Sequence, residues 1–425
     1  MIKLKTLRSL TLQNLKNKKI LVRVDFNVPI KEENKQKIIQ DDRRIRNCFA
    51  TINFLIKNQA KIILMSHLGR PKGEKNSHFS LKPIYEYFKQ NTIMSVDFAN
   101  DCVGQEVEQK INLLKVGQIL ILENLRFHPE EKKNDIQFAK KLASTVNIFV
   151  NEAFSASHRS HASIVGVSKF LPTFAGLALE KEVKTLEFLI NKPKKPLIII
   201  VGGAKISDKV DSIKNLAKIA DAVLIGGGIA NNFLKADGLE IHKSYLEDNP
   251  VSLNQVKDYI KVARRIIEKN KTEKILKDGY IPLPKILYPI DVVAAKDLKS
   301  SKTQIINLSH DMKDTANDLN LMYLDIGPKT IRLYQELIMQ AATIFWNGPM
   351  GVFENPLFSK GTKEIARTIA KSGAMTVIGG GDTISAINKY NLEERFDYIS
   401  TAGGAALEFL SGKILPGIKI CIINQ

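Results

Sequence analysis

Short apolar runs that end abruptly in glycines, amides or cations recur along the chain, and they constrain its fold more than any other feature. In the first half ILVRV precedes DFNVP, IILM precedes SHLGRP, ILIL precedes ENLRFHP, and NIFV precedes NEAFSASHRSHAS. In the second half LIIIV precedes GGAK, AVLI precedes GGG, MYLDI precedes GP, TIFW precedes NGPMGVFE, TVI precedes GGGDT, and YIS precedes TAGG. None alternates apolar with polar residues, which is the pattern of strands buried on both faces of a parallel sheet. Helical patterns separate the runs. Ile206, Val210, Ile213, Ala217 and Ala220 are spaced for one buried helix face, with Ser207 and Asp208 where a helix start favours a cap and negative charge. Alternating strands and helices predict a doubly wound α/β architecture, in which ligands bind beyond the carboxyl ends of the strands.

A chain of 425 residues suits two domains. The two halves differ chemically. Strand ends before about residue 165 carry cationic residues: Arg44 just ahead of a strand, then His67, Arg70, Arg126, His128, His158, Arg159 and His161. Later strand ends carry glycine clusters. A boundary fits between Gly176 and Pro196, where KEVKTLEFLI reads as a connecting helix before the breaker NKPKKP. Residues 254–278 read as a charged, mostly exposed helix and loop. No apolar run reaches the ~20 residues of a membrane span. The three cysteines are far apart and lack ligand spacing, which points to free thiols in a reducing compartment. The basic N-terminal stretch runs directly into the first strand and reads as a mature cytoplasmic start. The net charge of +19 is spread over scattered lysines with no arginine-rich arm, a solvated basic surface and not a specific nucleic-acid site.

Glycines at strand ends let backbone N–H groups approach a phosphate, and a following helix adds its positive end. GGAK (Gly202 to Lys205) and GGGDT (Gly379 to Thr383) have that form, although neither a GxxxxGK[ST] loop nor a complete GxGxxG is present. Lys205 and Lys209, four apart, are expected on one helix face, where two ammonium groups neutralise a transferring phosphoryl group. Asp382 is a candidate Mg²⁺ anchor, since that ion takes one or two carboxylates plus phosphate oxygens. Arg44, Arg70, Arg126 and Arg159 suit a small acid with carboxylate and phosphate groups, which guanidinium forks pair bidentately. Arg23, inside a strand, reads as a structural ion pair. His158 and His161 lack a third ligand for a metal. No nucleophile–base constellation stands out, which suits phosphoryl transfer. A dehydrogenase is the alternative enzyme class, against which the missing GxGxxG counts. A non-enzymatic polyanion binder is the third reading.

The strings RVDFNVP, SHLGRP, ENLRFHPEE, GGAKISDK, IGGG, LDIGP, FWNGPMGVFE, IGGGDT and GGAALEFLSGKILPG occur in this order, and from about residue 5 to 420 the chain resembles the phosphoglycerate kinases. The resemblance implies two doubly wound, Rossmann-like parallel-sheet domains joined by a helical hinge. Residues 1–178 would bind the acidic substrate and 179–194 would connect. Residues 195–404 would bind Mg-nucleotide, and 405–425 would return to the N-terminal domain. It implies reversible transfer of the acyl phosphate of 1,3-bisphosphoglycerate to Mg-ADP, giving 3-phosphoglycerate and ATP, in glycolysis and gluconeogenesis, by a hinge-bending cytoplasmic monomer without nucleic-acid or membrane partners. Catalytic roles fall to Arg44, Lys205, Gly380 and Gly403. Substrate contacts fall to Asp25, Phe26, Asn27, Arg44, His67, Leu68, Gly69, Arg70, Arg126 and Arg159. Nucleotide contacts fall to Gly203, Ala204, Lys205, Lys209, Gly227, Gly228, Tyr323, Asn347, Glu354, Gly380, Gly381, Asp382 and Thr383, with Asp382 near Mg²⁺.

Some positions depart from the family pattern. NEAFSASHR stands where NDAFGTAHR is common, so Glu152 and Ser155 replace a shorter acid and a glycine. Ala402 takes the first place of a late glycine triplet, where a positive φ would be strained. His242 stands where glycine is frequent, and Tyr323 where the residue is often small.

Overall fold

A computed structural model describes residues 2–33, 36–247, 258–271, 273–274, 283–308 and 320–423. The chain divides into two compact units, Met1–Glu187 with Ile414–Gln425, and Phe188–Lys413. The helix Leu177–Asn191 carries the chain across the division.

The first unit contains β1 (Lys19–Arg23), the antiparallel pair β2 (Ile30–Glu33) and β3 (Gln36–Ile39), then β4 (Lys61–Met65), β5 (Val96–Phe98), β6 (Ile119–Ile121), β7 (Ile148–Asn151) and β8 (Thr173–Ala175). Six of these form a parallel sheet in the order β5-β6-β4-β1-β7-β8. Its β1, β4, β6 and β7 are the apolar runs of the first half. Because successive side chains face opposite ways, Ile20 and Val22 pack with Ile52, Leu55 and Phe88 on one face. Leu21 packs with Ile63, Leu120 and Phe149 on the other. Truncating a side chain such as Leu21 to alanine would cost about 2–5 kcal/mol. The edge strand β5 is half-exposed and too short to stand out as an apolar run.

The second unit contains β9 (Leu197–Val201), β10 (Ala222–Ile225), the short pair β11 (Glu273–Lys274) and β12 (Leu283–Pro284), β13 (Ile286–Leu287), β14 (Asp291–Ala295), β15 (Gln304–Asn307), β16 (Met322–Ile326), β17 (Thr343–Asn347), β18 (Met375–Gly379) and β19 (Tyr398–Ser400). A parallel sheet runs β13-β10-β9-β17-β18-β19. One face buries Ile198, Ile200, Ile344, Trp346 and Ile378; Ile199, Phe345 and Val377 are buried on the other. The run MYLDI departs from expectation. As β16 it pairs antiparallel with β14 in a separate sheet, β15-β14-β16. An apolar run specifies burial but not the direction of its partner.

In each sheet two adjacent strands send their following connections in opposite directions: β1 and β7 in the first unit, and β9 and β17 in the second. Such switch points open a crevice beyond the strand ends.

Residues 405–425 were expected as the returning tail. The division falls later: the helix Gly404–Leu410 belongs to the second unit, and only the chain from Ile414 joins the first. There the Gly417 carbonyl accepts from Asn151 Nδ2 (2.8 Å), Gly417 N–H donates to Ser157 O (2.8 Å), and Ile422 bridges Leu4. The expected charged stretch at 254–278 lies partly outside the described residues; its helix Tyr259–Lys269 buries Tyr259, Ala263 and Ile266.

Candidate functional site

In the first unit the cationic residues gather at the carboxyl ends of β1, β4, β6 and β7. Asp25 follows β1, and its Oδ2 accepts from Arg44 Nη1 at 2.8 Å. Arg44 Nη1 also reaches Asn27 O at 3.2 Å. Arg44 does not stand ahead of a strand but in a short helix, Arg43–Asn47, that leads towards Phe49–Lys57. Asn27 Oδ1 accepts from Gly69 N–H (2.9 Å), and Gly69 O accepts from Arg126 Nη1 (2.6 Å). Gly69 has φ +62, and a Cβ there would lie 2.3 Å from the Phe79 ring, so only glycine fits the turn. Arg126 is buried with no partner for its Nε. Burial first, then Arg159 and Arg23, lowers its guanidinium to about 10. Unpaired donor capacity beside like charges is an arrangement that an anion would satisfy. Arg159 Nε meets His158 Nε2 at 3.0 Å, and Arg70 is exposed.

Three expectations change here. His67 is not a cation. Burial, then Arg23, Arg126 and Arg159, holds its pKa well below the usual range. Its Nδ1 accepts from Arg23 Nη2 at 3.0 Å, since a guanidinium can only donate. Arg23 is structural, but its link to an acid is indirect: Nε donates to Ser163 Oγ (3.1 Å), which donates to Glu131 Oε1 (2.6 Å). Phe26 turns its ring into the core against Phe88, and only its backbone lies at the strand end.

Sequence reasoning missed the groups that hold these loops. Asn124 Nδ2 donates to Leu68 O and Phe79 O (2.8 Å each), while its Oδ1 accepts from Arg126 N–H. Glu123 accepts from Ser80 Oγ and Leu81 N–H. The string ENLRFHP contained both residues, but an amide and an acid beside an arginine carry no signal of their own. Asp101, Cys102 and His128 offer ligand atoms within 4.8 Å of one another. Asp101 is already engaged by Lys75 (2.7 Å) and His128 (2.6 Å), and burial pushes the Cys102 thiol well up, so the cluster is an ion-pair network.

In the second unit the strand ends present backbone. The loops after β9 and β17 are tied together: Gly202 N–H donates to Asn347 O, and Gly203 N–H to Pro349 O. Lys209 Nζ spans the switch point, donating to Gly202 O (2.6 Å) and Asn347 O (3.3 Å). Burial lowers its ammonium to about 8, against the opposing pull of Asp382 and Asp208. Gly348, at φ +97, is packed so closely that a Cβ would lie 2.2 Å from Gly202 O. Its N–H donates to Thr383 Oγ1 (2.6 Å), and its carbonyl accepts from the buried Trp346 indole (2.8 Å). The NGP string was its only trace in the sequence.

The helices Gly381–Lys389 and Gly404–Leu410 begin at a cavity of about 530 Å³, which Lys209, Asn347, Gly380, Asp382, Thr383 and Gly403 help to line. Asn347 Nδ2 is buried there without a partner. A second cavity of about 370 Å³ is lined mainly by apolar groups and by Gly203, Ala204, Gly227, Gly228, Tyr323 and Glu354. Asp382 borders both cavities and is exposed. Lys205 is exposed and directly follows Ala204, which lines the second cavity.

Lys205 and Lys209 do not share a helix face. The helix starts only at Val210, because Ser207 gives its N–H and Oγ to Glu247 (2.8 and 2.6 Å) instead of capping. Ala402 escapes strain, since the positive φ falls on Gly403 (φ +57). His242 does take a left-handed conformation (φ +48), with its ring against Tyr323.

The profile of the phosphoglycerate kinase family matches residues 10–413. The chain belongs to this family. It is 43% identical to the phosphoglycerate kinase of Pseudothermotoga lettingae over 97% of its length and 98% of the relative's. With that of Dictyoglomus turgidum the identity is 44%, over 98% of each chain. The solved phosphoglycerate kinase of Coxiella burnetii superposes with a TM-score of 0.78 at 37% identity, and that of Pyrococcus horikoshii with 0.77 at 32%; each match covers 98% of both chains. The kinase is therefore a glycolytic phosphotransferase with a carboxyl group as acceptor, exchanging a phosphoryl group between 1,3-bisphosphoglycerate and ADP. No helix among the described residues is long and apolar enough to cross a membrane.

Proposed function

We propose that the first unit binds 3-phosphoglycerate through Arg70, Arg126 and Arg159, with His67, Gly69, Asp25 and Asn27 shaping the loops. Arg44 is assigned to the transferring phosphoryl group. The second unit takes the nucleotide base and ribose in the smaller cavity, against Tyr323 and beside Glu354, and the phosphates in the larger. Lys205, Lys209 and the amides of Gly380, Gly381 and Gly403 then face the phosphate charge. The carboxylate oxygen of the acid bonds to the γ-phosphorus as the bond to the ADP oxygen breaks, so no protein nucleophile is needed. Mg²⁺ fits this donor set. One exposed carboxylate, Asp382, stands where the two cavities adjoin, as an ion that takes most of its ligands from phosphate and water requires. When bound, the ion would neutralise phosphate charge.

The observation that carries this reading is the cavity on which glycine-started helices, the Lys209 ammonium and the orphaned Asn347 amide converge. The three buried free thiols support a reducing cytoplasmic setting. A monomer without nucleic-acid or membrane partners completes the proposal. The test is a coupled assay with 3-phosphoglycerate and Mg-ATP. Lys205→Ala and Arg44→Ala are expected to lower kcat on the order of 10²–10³-fold while nucleotide titration stays near normal. Near-normal turnover in both variants would remove the assigned mechanism.

A further inference from the structure

Ser155 sits at the switch point of the first sheet, in the short 3₁₀ turn Phe154–Ala156 that follows β7. Its hydroxyl donates to Asp25 Oδ2, the same oxygen that accepts from Arg44 Nη1. The other carboxylate oxygen accepts the Asn27 N–H at 3.0 Å. Asp25 is thus held from three elements: its own loop, the helix carrying Arg44, and the turn after β7. We propose that Ser155 is a positioning residue for phosphoryl transfer, fixing the Asp25 carboxylate and through it the guanidinium of Arg44.

Arg44 reaches Asp25 along a flexible side chain, and an arginine that is only partly buried is ordered by its partners. The Asn27 N–H fixes one carboxylate oxygen but leaves rotation about that bond. The Ser155 hydroxyl comes on a short side chain with one rotatable bond to its oxygen, from a turn anchored by Ala156 N–H to Ala153 O and Ser157 N–H to Phe154 O. It therefore closes the last rotational freedom of the carboxylate. A hydrogen bond to an ionised group is among the stronger kind.

The inference rests on the assignment of Arg44 to the transferring phosphoryl group, and the experiment separates the two. Steady-state kinetics of the full-length enzyme with 3-phosphoglycerate and Mg-ATP are measured for Ser155→Ala, Ser155→Gly and Ser155→Thr, with Arg44→Ala alongside. Loss of the hydroxyl is expected to lower kcat roughly three- to tenfold, with KM for Mg-ATP unchanged and the melting temperature preserved. Threonine, which keeps the hydroxyl, should restore most of the rate. On an Asp25→Asn background, Ser155→Ala should change kcat by less than about twofold, because the two act in series. Unchanged kcat in Ser155→Ala and Ser155→Gly, with Arg44→Ala inactive, would overturn the positioning role and leave the assignment of Arg44 standing. Threonine losing as much rate as alanine, or full additivity with Asp25→Asn, would overturn it as well. An active Arg44→Ala enzyme would instead remove the assignment beneath it.

Discussion

The two six-stranded sheets of this kinase are both parallel and doubly wound, though their strand orders differ, and they finish their strands in opposite chemical styles. At the β1/β7 switch point, side chains meet: Asp25, Arg44 and Ser155, with Arg126 and His67 close by in the network. At the β9/β17 switch point, backbones meet, and the Lys209 side chain that spans them donates to the carbonyls of Gly202 and Asn347. The difference follows from the ligands proposed for each. A small acid offers a few localised charges, which guanidinium forks read with directional specificity. A polyphosphate offers a row of oxygens, which amides at helix starts receive if nothing projects from the backbone. One architecture therefore tolerates either solution, and the loops after the strands choose between them.

The largest effect confined to one unit is expected at Gly348. Because φ is +97 and a Cβ would press on Gly202 O, Gly348→Ala is expected to destabilise the second unit by about 2–5 kcal/mol and to abolish nucleotide binding. Binding of 3-phosphoglycerate should survive, which parallel titrations with the two ligands would show. Loss of both together would mean that the units do not respond separately.

A smaller effect of the complementary kind is expected at Arg126. Arg126→Lys keeps the charge but not the fork that contacts Gly69 O and leaves Nε available. KM for 3-phosphoglycerate should rise roughly tenfold to a hundredfold, and KM for Mg-ATP should stay within about twofold. An equal rise in both constants would contradict a unit-specific role.

The smallest effects concern pH, and they differ in sign. Burial first raises the Glu152 carboxyl to about 8, although Thr51 and the backbone of Ala178 and Leu179 oppose the shift. Between its ordinary value near 4.5 and 8 the folded state holds a proton that the unfolded chain has lost. Stability from this group is therefore full at low pH and falls as pH rises through that window. Lys209, lowered to about 8, acts oppositely: between 8 and 10.5 the unfolded chain holds the extra proton, so stability rises with pH. Urea unfolding across pH should show Glu152→Gln flattening the fall and Lys209→Met flattening the rise. Unchanged slopes would show that these groups titrate normally.

Much of the fold was legible in the sequence, because burial on both faces of a parallel sheet leaves unbroken aliphatic runs such as LIIIV and TIFW. Exceptions were physical too. The short edge strand β5 buries too little to leave a signal, and MYLDI had the right composition for the wrong sheet. For the site, the sequence determined which residue types stand at strand ends: arginines in one half, glycines in the other. Only tertiary structure decided what each does. Burial, with Arg23 beside it, made His67 neutral, Glu247 drew Ser207 away from the helix start and so separated Lys205 from Lys209, and Ser155 met Asp25 across 130 residues. Composition and period are local properties that the chain carries with it. Hydrogen bonds and pKa values depend on distances between segments remote in sequence, and those distances exist only once the sheet has closed.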